Sequence, residues 1–218
     1  MFRWFRQMAK PLLRPEFADD IGLVALGGDL RPDWLLEAYR HGIFPWYNEG
    51  DPVCWWSPDP RAVFELDGLH VPRRLRRTIR SGRFTVTVDR DFAGVIRGCA
   101  DREEGTWIVP DMIDAYERLH RLGYAHSVEV WSGEVLAGGL YGVAIGGFFA
   151  GESMFTRLRD ASKVALVFVA ERLRERRFQL FDTQFVTEHT ERMGAIEVPR
   201  DEYLARLGRA LAVRTTFA

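Results

Sequence analysis

Side chains alternate along Phe84-Thr85-Val86-Thr87-Val88, and a period of two predicts a strand. Asp89 or Asp91 then stands where an N-cap acceptor is needed, ahead of an apolar stripe of Phe92, Val95 and Ile96 that predicts a helix. A second helix is expected to begin near Pro110 and Asp111, to bury Ile113, Tyr116 and Leu119, and to end at Gly123. Its acids come early and His120 and Arg121 late, as the helix dipole favours. Ser127 to Trp131 and Glu134 to Tyr141 read as strands joined by a tight turn at Ser132-Gly133, with Ile145 to Ala150 as a third. Ser162 is expected to cap a long helix through Val164, Val167, Phe168 and Leu173 to Arg177, after which Phe178 to Asp182 is a strand. Strand, helix, helix, antiparallel meander, helix and strand together predict an α+β architecture.

Upstream the pattern is less regular. Asp29 and Pro32 open a short helix whose stripe is Trp34, Leu35, Ala38 and Tyr39, and Gly42 can close it. Residues 43–62 are rich in proline and aromatic side chains, which predicts an irregular, rigid loop and places a domain border there, with residues 1–62 as a small N-terminal unit and 63–218 as a larger one. Residues 1 to about 20 show no period; Met1-Phe2-Arg3-Trp4-Phe5-Arg6-Gln7-Met8 is interrupted by charge before a secretory apolar core can form.

Composition narrows the classes. A chain of 218 residues with 47% hydrophobic and 28% charged residues lies in the ordinary globular range. Thirty basic residues against 31 acidic give a net charge of −1, so a polyanion partner would have to be met by a local feature. One exists: Arg73, Arg74, Arg76, Arg77, Arg80 and Arg83 occur with no acid among them, and Arg73, Arg76, Arg77 and Arg80 share a face if helical, a pattern that suits phosphate contact as well as a solvated surface. Cys54 and Cys99 are far apart and predict free thiols in a reducing compartment. No stretch approaches the ~20 apolar residues of a membrane span. The five histidines show no metal-ligand spacing, so no metal is implied. Phosphate-loop and serine-elbow motifs are missing, as is the pyrophosphate loop expected of a CoA enzyme.

Two short strings carry candidate chemistry. Asp182 and Gln184 are two apart at a strand end, which predicts that they point to one face, although an aspartate capping the next turn fits the same spacing. Glu152, in Gly151-Glu152-Ser153-Met154-Phe155, follows the glycine-rich Gly146-Gly147-Phe148-Phe149-Ala150 and is a candidate to contact an amine; an exposed acid answering Arg157 or Arg159 is the alternative. Trp46, Trp55, Trp56 and Trp107 suit either a core or a base-stacking surface.

Taken in order, Gly42-Ile43-Phe44-Pro45-Trp46, Trp55-Trp56-Ser57-Pro58-Asp59-Pro60-Arg61, Glu103-Glu104-Gly105-Thr106-Trp107-Ile108, His126-Ser127-Val128-Glu129-Val130-Trp131, Gly151 to Phe155 and Asp182-Thr183-Gln184 resemble the leucyl/phenylalanyl-tRNA protein transferase family over about residues 22 to 207. The resemblance implies a small N-terminal domain followed by a larger acetyltransferase-like (GNAT-type) one, a cytoplasmic setting and no cofactor. It implies a donor, aminoacyl-tRNA carrying Leu, Phe or less readily Met, and an acceptor protein with N-terminal Arg or Lys that is thereby marked for N-end rule degradation. By position, Asp182 and Gln184 match the catalytic pair and Glu152 the acid beside the reacting amine. Leu140, Phe149, Met154, Leu166, Val169 and Phe181 match the pocket for the donor side chain; Tyr39, Trp46, Trp107 and Tyr116 match positions near the tRNA 3′ end or the acceptor. Arg73, Arg76, Arg77 and Arg80 fall in the stretch that meets the acceptor stem.

Overall fold

The computed structural model describes residues 14–102 and 105–218. The basic opening Met1 to Met8 and the pair Glu103-Glu104 lie outside the described residues. The first part of the chain holds β1 (Leu23–Leu26), α1 (Pro32–Arg40), β2 (Phe44–Pro45) and β3 (Cys54–Trp56), the strands pairing in the order β1-β3-β2. Residues 43–62 are therefore not one irregular loop: β2, β3 and the first residues of a strand that begins at Arg61 interrupt the irregular stretches. Proline at position 45 is tolerated because β2 is a two-residue edge strand.

Next come β4 (Arg61–Phe64), α2 (Arg73–Arg80), β5 (Thr85–Val88), α3 (Phe92–Ala100), α4 (Pro110–Arg121), β6 (Ala125–Ser132), β7 (Val135–Ile145) and β8 (Phe148–Thr156). They are followed by α5 (Ala161–Glu175), β9 (Leu180–Gln184), α6 (Glu188–Arg192), β10 (Ala195–Val198) and α7 (Arg200–Leu211). Seven strands form one sheet in the order β10-β4-β9-β8-β7-β6-β5. Every pairing is antiparallel except β8 with β9, which the crossover through α5 makes parallel. The α+β expectation holds. Arg61 and Ala62, on the N-terminal side of the expected border, belong to a strand inside this sheet.

Two apolar cores lie on the two faces of the sheet. One gathers Trp34, Leu35, Tyr39 and Trp55 from the N-terminal elements with Ile96, Met112, Tyr116, Tyr141, Phe148 and Tyr203. The other gathers α5 residues Leu166, Val169 and Leu173 with Phe64, Leu140, Phe149, Phe181 and Phe217. Among the described residues no helix is long and apolar enough to cross a membrane.

Several local expectations shift. Ile145 ends β7 and Phe148 begins β8, so Gly146-Gly147 is a two-residue hairpin turn rather than part of a strand. Gly146 has φ +57°, and a Cβ there would lie 2.7 Å from the Leu211 carbonyl oxygen. Glu152 thus sits within β8 rather than after it. Asp160, not Ser162, is the N-cap residue of α5; its carboxylate accepts from the Thr78 hydroxyl of α2 instead of capping. In α4 the fully buried residues are Met112, Ala115, Tyr116 and Leu119, with Ile113 partly exposed. Asp91 caps α3 by accepting from the Gly94 amide.

Candidate active site

A cavity of about 540 Å³ lies where β4, β7, β8 and β9 meet α5 and the aromatic residues of the N-terminal part, within the range of roughly 300–1,000 Å³ typical of small-molecule sites. Its apolar end is made by Phe64, Leu140, Met154, Leu166 and Phe181, one residue each from β4, β7, β8, α5 and β9. These positions are inward-facing by strand alternation and by the apolar stripe of α5, so the same pattern that builds the core lines the chamber. Its mouth is aromatic: Phe44, Trp46, Trp107 and Phe185 line it, with Trp46 42% exposed and its ring 5.6 Å from that of Phe185. Glu152 and Gln184 stand in the wall with them.

Glu152 owes its position to a break in register. Tyr141 pairs with Ser153 and Gly142 with Gly151, leaving Glu152 as the extra residue of a β-bulge. A bulge re-aims one side chain without disturbing the strand on either side. Among the described residues, the carboxyl that results has no basic partner within ion-pair distance, the nearest cationic influence being the charge of Arg61. The Tyr116 hydroxyl donates to Oε2 at 3.1 Å, the Gln184 amide nitrogen donates to Oε1 at 3.2 Å, and the Tyr39 and Tyr116 hydroxyls lie 2.5 Å apart. Burial among these groups pushes the Glu152 carboxyl up to about 8, the tyrosine hydrogen bonds and the charge of Arg61 pulling against that rise and the charge of Asp182 adding to it. Burial also holds Tyr39 and Tyr116 well above the usual phenol range, so both remain donors near neutrality.

Asp182 is completely buried, and its partners are different. Arg61 donates to both of its oxygens, Nε to Oδ1 at 2.9 Å and Nη2 to Oδ2 at 2.6 Å, and the Tyr203 hydroxyl donates to Oδ2 at 2.9 Å. Burial alone would lower the Arg61 pKa, but the adjoining carboxylate holds it above its ordinary value. The guanidinium lies between two rings, 4.8 Å from Phe44 and 4.5 Å from Tyr203, and gives a further hydrogen bond to the Gly42 carbonyl.

Gln184 follows through a second register break: Ala62 pairs with Gln184 and Val63 with Asp182, leaving Thr183 extra. Gln184 has φ +60°, and the Phe185 amide donates to the Thr183 carbonyl at 2.7 Å, closing a three-residue γ-turn around it. That form of turn is rare and strained for a residue with a side chain. The Gln184 amide N–H is held at 2.9 Å by Asp182 Oδ1. Strict alternation would have put both side chains on one face; instead Asp182 turns to Arg61 and Tyr203, while Gln184 reaches the cavity. The aspartate therefore also caps the turn, the alternative that spacing left open.

Of the other residues singled out in the sequence, Leu140, Met154, Leu166, Phe181, Trp46 and Trp107 line the cavity. Phe149 and Val169 are wholly buried in the core behind it, and Tyr39 and Tyr116 lie behind Glu152. Arg73, Arg76, Arg77 and Arg80 form the exposed side of α2, which packs on α5 outside the cavity. Sequence reasoning missed Arg61 and Tyr203. The Tyr203, Leu207, Ala210 stripe after Pro199 carries a helix signal, but nothing local points from that helix to Asp182. Cys54 and Cys99 are free thiols, and the described residues contain no group of three metal-ligating side chains.

An apolar chamber with a buried carboxyl and an amide side chain carried on a strained turn in one wall makes this an α+β protein whose cavity sets apolar lining beside polar groups. A family model described as leucyl/phenylalanyl-tRNA protein transferase matches residues 63–208, and a model of that family's N-terminal domain matches residues 28–59. A leucyl/phenylalanyl-tRNA–protein transferase of Anaeromyxobacter sp. (strain Fw109-5) is 58% identical over 215 residues, 97% of this chain and 91% of that one. The protein of the same name from Stutzerimonas stutzeri (strain A1501) is 52% identical over 216 residues, 97% of this chain and 96% of its own. A GCN5-related N-acetyltransferase from Kribbella flavida superposes with a TM-score of 0.39 at 14% identity, over 78% of this chain and 61% of that one, too loosely to carry weight. The chain belongs to the leucyl/phenylalanyl-tRNA protein transferase family and is a transferase.

Proposed function

We propose that the cavity takes the side chain of Leu, Phe or, less readily, Met from an aminoacyl-tRNA and presents its ester to the terminal amine of a protein beginning with Arg or Lys, a product then open to N-end rule degradation in the cytoplasm. The observation that carries the reading is the contact between the apolar chamber and the Glu152–Gln184 pair, 3.2 Å apart in its wall. An aminoacyl ester is already activated, so positioning can do most of the work. The amine nitrogen attacks the ester carbonyl, the new C–N bond forms as the C–O bond to the ribose breaks, and the proton lost by nitrogen leaves on the ribose oxygen.

Gln184 gives its NH₂ group to Glu152, which leaves its oxygen to accept from the incoming amine. A protein α-amine has a pKa near ~7.7–8.0, close to the value of about 8 at Glu152, so a proton shared between them moves at little cost. Asp182 acts one step back, fixing the Gln184 main chain. Trp46, Trp107 and Phe185 offer flat faces for the terminal base of the donor, and the α2 arginines offer contact to its acceptor stem. Met154→Ala should weaken leucine use more than phenylalanine use, since an apolar pocket separates near neighbours by only ~1–3 kcal/mol. The direct test incubates the protein with labelled Phe-tRNA and a peptide beginning with Arg. Labelled peptide is expected; RNA binding without peptide-bond formation, or acetyl transfer from acetyl-CoA in its place, would overturn the reading.

A further inference from the structure

Phe217 lies in the segment after α7, outside every helix and strand, yet it is only 1% exposed. Its ring stacks on Phe149 at 4.8 Å with the planes 22° apart, and Phe149 in turn meets Phe181 edge-on at 5.6 Å. Phe149 does not reach the cavity, but Phe181 is its wall. A continuous file of rings therefore runs from residue 217 to the chamber's apolar end, flanked by His126 and Phe178 at Phe217 and by Phe64 at Phe181. The segment is tied down independently of this file. Arg172 donates from Nε to the Phe217 carbonyl at 2.6 Å and lies 5.4 Å from the ring, and the Thr215 hydroxyl donates to the Arg176 carbonyl at 2.6 Å. Both anchors are residues of, or just beyond, the helix that supplies Leu166 to the chamber.

We propose that Phe217 is a positioning residue for donor selection: by backing Phe149, and through it Phe181, it sets the depth of the chamber. The inference rests on the reading that the donor side chain occupies that chamber. Close-packed interiors relax only partly into a void, so a smaller residue at 217 leaves space into which Phe149 and then Phe181 can retreat. The chamber lengthens by part of a ring. Leucine then fills it less well, phenylalanine keeps its contacts, and a side chain as large as tryptophan gains entry.

The test measures kcat/KM with Leu-tRNA, Phe-tRNA and Trp-tRNA for Phe217→Leu and Phe217→Ala, at a temperature where circular dichroism shows each variant folded. The Phe-to-Leu ratio should rise, on the order of tenfold for the alanine variant and less for leucine. Transfer from Trp-tRNA should become measurable. A merely structural residue would lower all donors by one common factor, and an unchanged ratio in the folded Phe217→Leu variant overturns the proposal. Met154→Ala, which alters the chamber directly, separates the two failures. If it shifts the ratio while the 217 variants do not, only the role of Phe217 falls; if neither shifts it, the donor-pocket reading falls as well.

Discussion

Asp182 and Glu152 are neighbouring carboxyl groups in opposite surroundings. Asp182 is locked by a guanidinium on both oxygens, by a tyrosine hydroxyl and by a main-chain amide, and it does not line the cavity. Glu152 accepts from neutral donors, Tyr116 and Gln184, feels Arg61 as a charge without a hydrogen bond to it among the described residues, and borders the cavity. The first arrangement makes a rigid support, because every lone pair has a partner and no proton needs to move. The second makes a group whose charge is not settled by its surroundings, which suits the amine contact proposed for it. The polar side of the site is thus divided between a residue that holds geometry and one that can change state.

The largest effect should come from breaking the support. Asp182→Ala strands the Arg61 guanidinium, itself 1% exposed, and removing one partner of a buried pair costs about 3–5 kcal/mol. Urea unfolding of Asp182→Ala should show a loss of that size, and transfer from Phe-tRNA should collapse as the Gln184 turn loosens. Adding Arg61→Met should recover much of the stability but not the activity. A loss below about 1 kcal/mol in the single variant, or wild-type single-turnover transfer with saturating substrates, would sink the idea that Asp182 holds the turn.

The division was only half legible in the sequence. Period-two and period-3.6 patterns are local, so β5, α3, α4, β6 and the start of β7 lie close to where alternation and capping place them. β4 is different: Arg61, Ala62, Val63 and Phe64 are all buried, so no alternation marks them, and the flanking Pro58 and Pro60 signal a loop. Its strand character comes from pairing with β9 and β10, far along the chain. For the same reason the partner of Asp182 was invisible, since Arg61 lies 121 positions away. Spacing put Asp182 and Gln184 on one face; a bulge and a positive φ, neither announced by a glycine, separated them. The motif strings contain residues that the structure brings to the cavity and its support, while only the long-range pairings distinguish the buried, ion-paired Asp182 from Glu152 in the cavity wall.

Glu152 should give the next effect, and its signature is in pH. A carboxyl raised from its ordinary value to about 8 by burial favours folding while it is neutral. That contribution is complete below the unfolded value near ~4.3 and is lost as pH climbs through about 8. Glu152→Gln keeps the shape and removes the titration. The wild type should therefore lose more stability between pH 5 and pH 9 than the variant does, as read from urea midpoints at both pH values. Transfer by the variant should fall on the order of 10²-fold if the carboxyl shares the amine's proton. Parallel stability curves for the two proteins would show that the carboxyl is solvated in the ordinary way, and with it would go the contrast with Asp182.

The smallest effect is a reversal of order at Gln184. In a strand interior glycine is usually worse than alanine by roughly 0.5–1 kcal/mol, because it loses more freedom on folding. At φ +60° the preference should invert, since a Cβ in a left-handed conformation costs about 1 kcal/mol or more and glycine escapes it. Gln184→Gly and Gln184→Ala both remove the donor to Glu152 and the acceptor offered to the amine, so their activities should be equally low. Their stabilities should differ, with Gln184→Gly the firmer by about 1 kcal/mol in urea unfolding. Because the side-chain loss is common to both, that difference isolates the backbone. If alanine proves as stable as glycine, the turn is not strained, and Asp182 need do nothing to hold it; if glycine wins, the buried Arg61–Asp182 pair is the device that keeps a costly turn in place at the edge of the cavity.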